Sequence, residues 1–229
     1  MTRIRFQQSL DDLKEQLLVM AGLAEQAIQR ATEAYQVRDL SICDLVSRSE
    51  IVINRLERDI DQAALDLLAL EQPMAVDLRF ILCVIKINAD LERVGDAAKA
   101  ISERVRGMEQ MGSAELPVDI PRMASLATSM VRKSLRSFIE ADAELARSVL
   151  TMDDTVDDMN HAAYKALTRL MEEQGHLAPQ ALNAIMICHA LERIGDHATN
   201  IAEDVIFWVQ ATDVRHHKSL KKLGQLPPA

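Results

Sequence analysis

Two hexapeptides in the chain differ at one position: Leu91-Glu92-Arg93-Val94-Gly95-Asp96 and Leu191-Glu192-Arg193-Ile194-Gly195-Asp196, 100 residues apart. Each carries two carboxylates four residues apart, which share one face if the segment is a helix. Asp153 and Asp157 have the same spacing, and Glu50 and Asn54 repeat it with an amide in the second place. Like charges so placed repel on a bare helix. One account is a solvated acidic face, with Arg93 and Arg193 pairing locally. The other is a counter-ion, because carboxylate oxygens suit hard cations such as iron(III), manganese, magnesium or calcium. A single acid pair favours the first account. Pairs repeated in both halves at matched height favour the second. The histidines are weaker candidates: His189, His197 and His161 read as ordinary helix residues, His197 has Ala97 as its repeat mate, and His216-His217 reads as solvated tail.

Helix breakers are scarce enough to show which elements hold these groups. A first helix is expected from about Phe6 to Val37, with apolar residues at Phe6, Leu10, Leu13, Leu17, Met20 or Ala21, Ala24, Ala27, Ala31 and Ala34. Asp39 is a plausible cap for a second helix to about Leu70; Pro73 interrupts, and a third runs from about Val76 to Arg106. Residues 108–120 read as a linker. Asp119 and Pro121 then start a fourth helix ending near Ala141, Asp142 caps a fifth reaching about Glu173, and a sixth runs from Pro179 to about Gln210, where Phe207 and Trp208 read as packing residues. The tail from residue 213 is expected to be mobile.

The two halves are copies of one three-helix unit. At an offset of 100, Ala98 matches Ala198, Ile101 matches Ile201 and Glu103 matches Glu203; at 103, Asp39 matches Asp142, Glu50 matches Asp153 and Ile53 matches Val156. The expected fold class is all-α: two tandem three-helix bundles related by a pseudo-two-fold axis, over residues 1–107 and 121–212. Short connections make neighbouring helices antiparallel, and helices of about 30 residues make the molecule elongated. In an antiparallel pair, equal distance from the turn means equal height. Asn54 and Glu50 precede Pro73 by 19 and 23 residues, while Glu92 and Asp96 follow Ala75 by 17 and 21. Asp157 and Asp153 precede Gly175 by 18 and 22, while Glu192 and Asp196 follow Ala178 by 14 and 18. The acids of each half therefore face one another, on the shoulder of the apolar stripe, and Gly95 and Gly195 permit a close approach.

Composition narrows the function. Of 229 residues 48% are hydrophobic, only 3% are aromatic, and there are 7 glycines and 6 prolines, which suits helices better than sheets. A net charge of -9 gives no electrostatic reason to bind nucleic acid or an anionic membrane, and leaves docking only through a local basic patch. The start lacks a signal peptide's apolar run, no stretch suits a membrane helix, and Cys43, Cys83 and Cys188 read as buried thiols. A cytoplasmic location is expected.

The doubled Leu-Glu-Arg-(Val/Ile)-Gly-Asp segment resembles the signature of the PhoU family, as does Gln72-Pro73-Met74-Ala75-Val76-Asp77-Leu78-Arg79 at the preceding turn. The resemblance runs from the first helix through Trp208. It implies a pair of three-helix bundles and an acid-x-x-x-Asp motif twice per repeat that can hold multinuclear iron or other metal clusters, with manganese, magnesium or zinc as further candidates. Carried over, the motif falls on Glu92 and Asp96, Glu192 and Asp196, Asp153 and Asp157, and, with a departure, Glu50 and Asn54. An amide can offer a carbonyl oxygen but removes one charge, so the first repeat is expected to bind metal more weakly or to bind fewer ions. The resemblance further implies a non-enzymatic negative regulator of high-affinity phosphate uptake and phosphate-starvation signalling. Its partners would be the phosphate ABC transporter, through the ATPase subunit, and a membrane sensor histidine kinase, and a homodimer is expected.

Two rivals share parts of this reading. A di-iron carboxylate oxidase needs Glu-x-x-His on each of two helices of a four-helix bundle. The chain offers only Glu173-x-x-His176, at a helix end, and its helices group in threes. A metal-free helical adaptor keeps the fold and loses the ion.

Overall fold

The computed structural model describes residues 3–112 and 114–215. The expected helices appear with one exception. Helices α1 (Arg3–Val37), α2 (Leu40–Glu71) and α3 (Val76–Gly107) make the first repeat. The second consists of α4 (Ile120–Glu140), α5 (Ala143–Leu150), α6 (Asp153–Glu173), a short 3-10 turn (Gly175–Leu177) and α7 (Ala178–Gln210). The segment read from sequence as one helix from Asp142 to Glu173 is thus broken at Thr151 and Met152. The cause is local: Thr151, Asp153, Asp154 and Thr155 are poor interior formers whose side chains compete for backbone groups. Thr151 Oγ1 donates to the Ser148 carbonyl at 2.8 Å.

Caps set the other boundaries. The Asp39 carboxylate accepts from the Ser41 N–H at 2.8 Å and its repeat mate Asp142 accepts from the Glu144 and Leu145 N–H groups. Asp119 accepts from the Arg122 N–H at 3.0 Å, with Pro121 in the first turn of α4. Arg38, Gln72 and Ala141 adopt left-handed backbone angles where α1, α2 and α4 stop.

The stripe on α1 is buried from Leu10 through Ala34, as its spacing requires. One contiguous core takes residues from all seven α-helices, so the repeats share an interior. Helix α3 packs on α7 and α1 on α4. Three aromatic rings join the halves: Phe80 lies 5.8 Å from Phe138 and 5.2 Å from Trp208, centroid to centroid. Beside them the α3/α7 seam is polar. Asp90 Oδ1 lies 2.9 Å from His197 Nδ1, and Lys86 Nζ donates to Asp204 Oδ1 at 2.6 Å. The repeat mates of Asp90 and His197 are Ala190 and Ala97, both buried. The pseudo-symmetry of the backbone is therefore not kept by the side chains along the α3/α7 seam.

Cys43, Cys83 and Cys188 are buried free thiols. Burial pushes the Cys188 thiol up to about 11 and Cys83 well above its ordinary value, so neither is a ready nucleophile. No helix among the described residues is long and apolar enough to cross a membrane.

Candidate metal centre

In the second repeat the break in the chain positions the acids. Asp153 is the first residue of α6, where free backbone N–H groups favour negative charge, and Asp157 lies one turn on along the same face. Asp196 comes from α7. One carboxylate oxygen from each of Asp153, Asp157 and Asp196 lies within 4.8 Å of the others. That is close enough for one hard cation to bridge them, and the donor set is all oxygen. Partial burial, then Glu192 and Asp157, push the Asp196 carboxyl up to about 6, while His197 and His189 pull it down. Glu192 stands one turn before Asp196. Its Oε2 is buried and accepts no directed hydrogen bond, although His189 Nδ1 lies 3.2 Å away. An orphaned buried oxygen beside three converging carboxylates fits a cation site.

The first repeat holds its acids differently. Glu50 is buried, and Asn54 Nδ2 donates to its Oε1 at 2.8 Å. Lys99 Nζ lies 3.1 Å from the same oxygen. The Asn54 Oδ1 atom is buried without a hydrogen-bond donor. Burial raises the Glu92 carboxyl above its ordinary value, with Asp96, Glu57 and Glu50 adding repulsion and Arg93 opposing it. Among the described residues, Glu50, Glu92 and Asp96 form no trio like that of the second repeat. Arg93 lies 3.8 Å from Asp90 on its own helix.

The motif glycines also differ. A Cβ on Gly95 would lie 3.0 Å from Ile53 Cδ1, so α2 and α3 approach closely there. A Cβ on Gly195 would meet Met130 and Val156 at 3.6 Å, an ordinary contact.

Sequence reasoning missed Lys99 and Glu57. Lys99 lies three residues after Asp96 on the same face, and its repeat mate is Thr199, so aligning the two copies one turn past the motif exposes it. The histidines take the ordinary roles expected of them. His197 pairs with Asp90 in the seam, and His161 Nδ1 lies 2.9 Å from the Asp157 carbonyl of its own helix. His216 and His217 lie outside the described residues.

The PhoU domain family matches residues 17–105 and 120–205. The chain is 38% identical over 213 residues to the phosphate-specific transport system accessory protein PhoU homolog of Pseudomonas aeruginosa, covering 93% of this chain and 88% of that one. The corresponding protein of Aquifex aeolicus is 35% identical over 216 residues, covering 94% and 97%. The crystal structure of PhoU from Pseudomonas aeruginosa superposes with a TM-score of 0.88, covering 90% of this chain and 100% of that one. The phosphate transport system regulatory protein PhoU of Streptococcus pneumoniae gives 0.84 at 27% identity, covering 91% and 99%.

Proposed function

The chain belongs to the PhoU family, and from that premise we propose how it acts. It is an accessory, regulatory protein of phosphate transport and not an enzyme. Its finer role, in this reading, is that of a cytoplasmic adaptor between the ATPase subunit of the phosphate ABC transporter and a sensor histidine kinase. It holds the kinase in its non-activating mode when phosphate is plentiful, meets the membrane only through these partners, binds no nucleic acid and works as a homodimer. Family membership supports the partners, and long exposed helix faces offer a route for docking. The unit of repeat is the three-helix copy, residues 1–107 and 121–212 with 108–120 between them and a tail at 213–229.

The adaptor carries metal. Asp153, Asp157 and Asp196 hold the ion and Glu192 supports it; iron, in a multinuclear cluster, is the first candidate, with manganese, magnesium and zinc behind it. The observation that carries this is the convergence of three carboxylate oxygens from two helices. Uncompensated, such charges repel, and a cation converts that repulsion into a bond between α6 and α7.

Elemental mass spectrometry on untagged protein tests the metal, against an Asp157→Asn/Asp196→Asn variant whose helicity is checked by circular dichroism. Metal in the parent and its loss from the folded variant is the expected result. Protein that stays metal-free after exposure to iron, manganese, zinc and magnesium leaves the metal-free adaptor standing instead.

A further inference from the structure

The four motif positions of the first repeat include three acids, Glu50, Glu92 and Asp96, and the structure adds an ammonium to them. Glu50 is the one whose side chain is nearly sequestered, 11% exposed, against 36% for Lys99. A carboxylate so placed is costly without a positive partner. It has one: Lys99 Nζ at 3.1 Å and Asn54 Nδ2 at 2.8 Å both address Oε1. The second repeat reverses each choice. Thr199 replaces the lysine and turns its hydroxyl to the Asp196 carbonyl at 2.7 Å, and Asp157 replaces the amide with a fourth carboxylate.

We propose that Lys99 is the resident cation of the first cluster, so that this cluster is balanced by its own side chain and metal binding is confined to the second cluster. A divalent ion placed on Glu50 would meet the ammonium at short range in a partly desolvated site, and like charges at that distance exclude one another. The two clusters of a nearly symmetric backbone thereby differ in kind. The charge of the second cluster changes with metal supply, while that of the first does not. A partner or second copy that responds to metal must read the second repeat.

The proposal rests in part on the metal reading of the second cluster, so the test separates the two. The first arm needs no metal. Urea unfolding in chelator compares the parent with Lys99→Met, Glu50→Gln and the double variant. Lys99→Met is expected to lower the midpoint, and adding Glu50→Gln is expected to restore most of the loss, because the stranded charge is gone. Equal loss in both backgrounds would show that Lys99 acts by packing alone and would overturn the proposal. The second arm counts manganese(II) bound per chain by equilibrium dialysis, with helicity monitored throughout. Glu50→Gln is expected to leave the count unchanged, Lys99→Thr/Asn54→Asp to raise it, and Asp157→Asn/Thr199→Lys to abolish it. A lower count in Glu50→Gln would place metal on the first cluster despite Lys99, and again overturn the proposal. No manganese on the parent, together with a positive midpoint cycle, would keep Lys99 as the counter-ion and remove only the metal reading of the second repeat.

Discussion

The central helix of the first repeat, α2, runs unbroken for 32 residues, whereas its counterpart is split into α5 and α6. The difference decides what the acids can do. Glu50 sits in the interior of α2, packed in and tied to Lys99 and Asn54. Asp153 opens a new helix, with Asp157 one turn behind it, both facing Asp196. One duplicated unit has thus become a closed, internally paired cluster in one repeat and a convergent carboxylate cluster in the other. Duplication preserves a backbone more easily than a charge balance, because each charge depends on a few side chains that change independently.

The α3/α7 seam extends the same contrast, and its ion pair offers the largest effect. Asp204 is 8% exposed and Lys86 41% exposed. Burial raises the Asp204 carboxyl above its ordinary value, and the Lys86 ammonium opposes that shift. Lys86→Met should lower stability by about 2 kcal/mol at neutral pH, less than for a fully buried pair because Lys86 is partly solvated. The sign with pH follows from the raised folded-state value. The cost is absent below about pH 3.9, where the unfolded carboxyl is also protonated, and it grows with pH until the folded carboxyl has ionised. The symmetry-related pair is Arg104 with Met186, and Arg104→Met should change stability by no more than about 0.5 kcal/mol. Urea titrations at pH 4 and pH 7 make the comparison; equal losses from both variants would mean that the seam is energetically symmetric.

The motif glycines come next. Gly95→Ala must displace Ile53, and overpacking of about 2 kcal/mol set against a helix-propensity gain of about 1 leaves a net loss of about 1 kcal/mol. Gly195→Ala meets ordinary contacts and should gain about 0.5 kcal/mol. Thermal unfolding of the two variants in chelator should therefore shift in opposite directions, and shifts of one sign would show that the closer α2/α3 approach carries no strain.

The smallest effect tests the part that the repeats share. Asp142→Ala removes a cap bonded to two backbone N–H groups at the head of an eight-residue helix, and should cost about 0.5–1 kcal/mol. Asp39→Ala removes a single bond at the head of a helix four times as long and should cost less. Both variants can be ranked by their urea midpoints, and a larger loss from Asp39→Ala would show that neither the number of cap bonds nor the shortness of the helix sets the ranking.

Much of this was legible before any coordinates. The α1 stripe, the matching caps at Asp39 and Asp142, the doubled Leu-Glu-Arg motif and the equal heights of the acids all follow from residue order. The break at Thr151 was present as a run of cap-type residues, but the pattern of the unbroken first copy masked it. Lys99 was visible only as a difference from Thr199, in a position that a search for acids passes over.

Residue order determined the helices, their pairing into two copies and the height of each acid, because periodicity and capping act over three or four residues of one chain. Tertiary structure alone decided that Lys99 reaches Glu50, that Asp196 rather than Glu192 completes the trio with Asp153 and Asp157, and that Asp90 meets His197 where the other half of the seam has two alanines. Each of these depends on how far one helix is rotated and shifted against another by a few ångströms, and that is set by the packing of a core shared between both repeats.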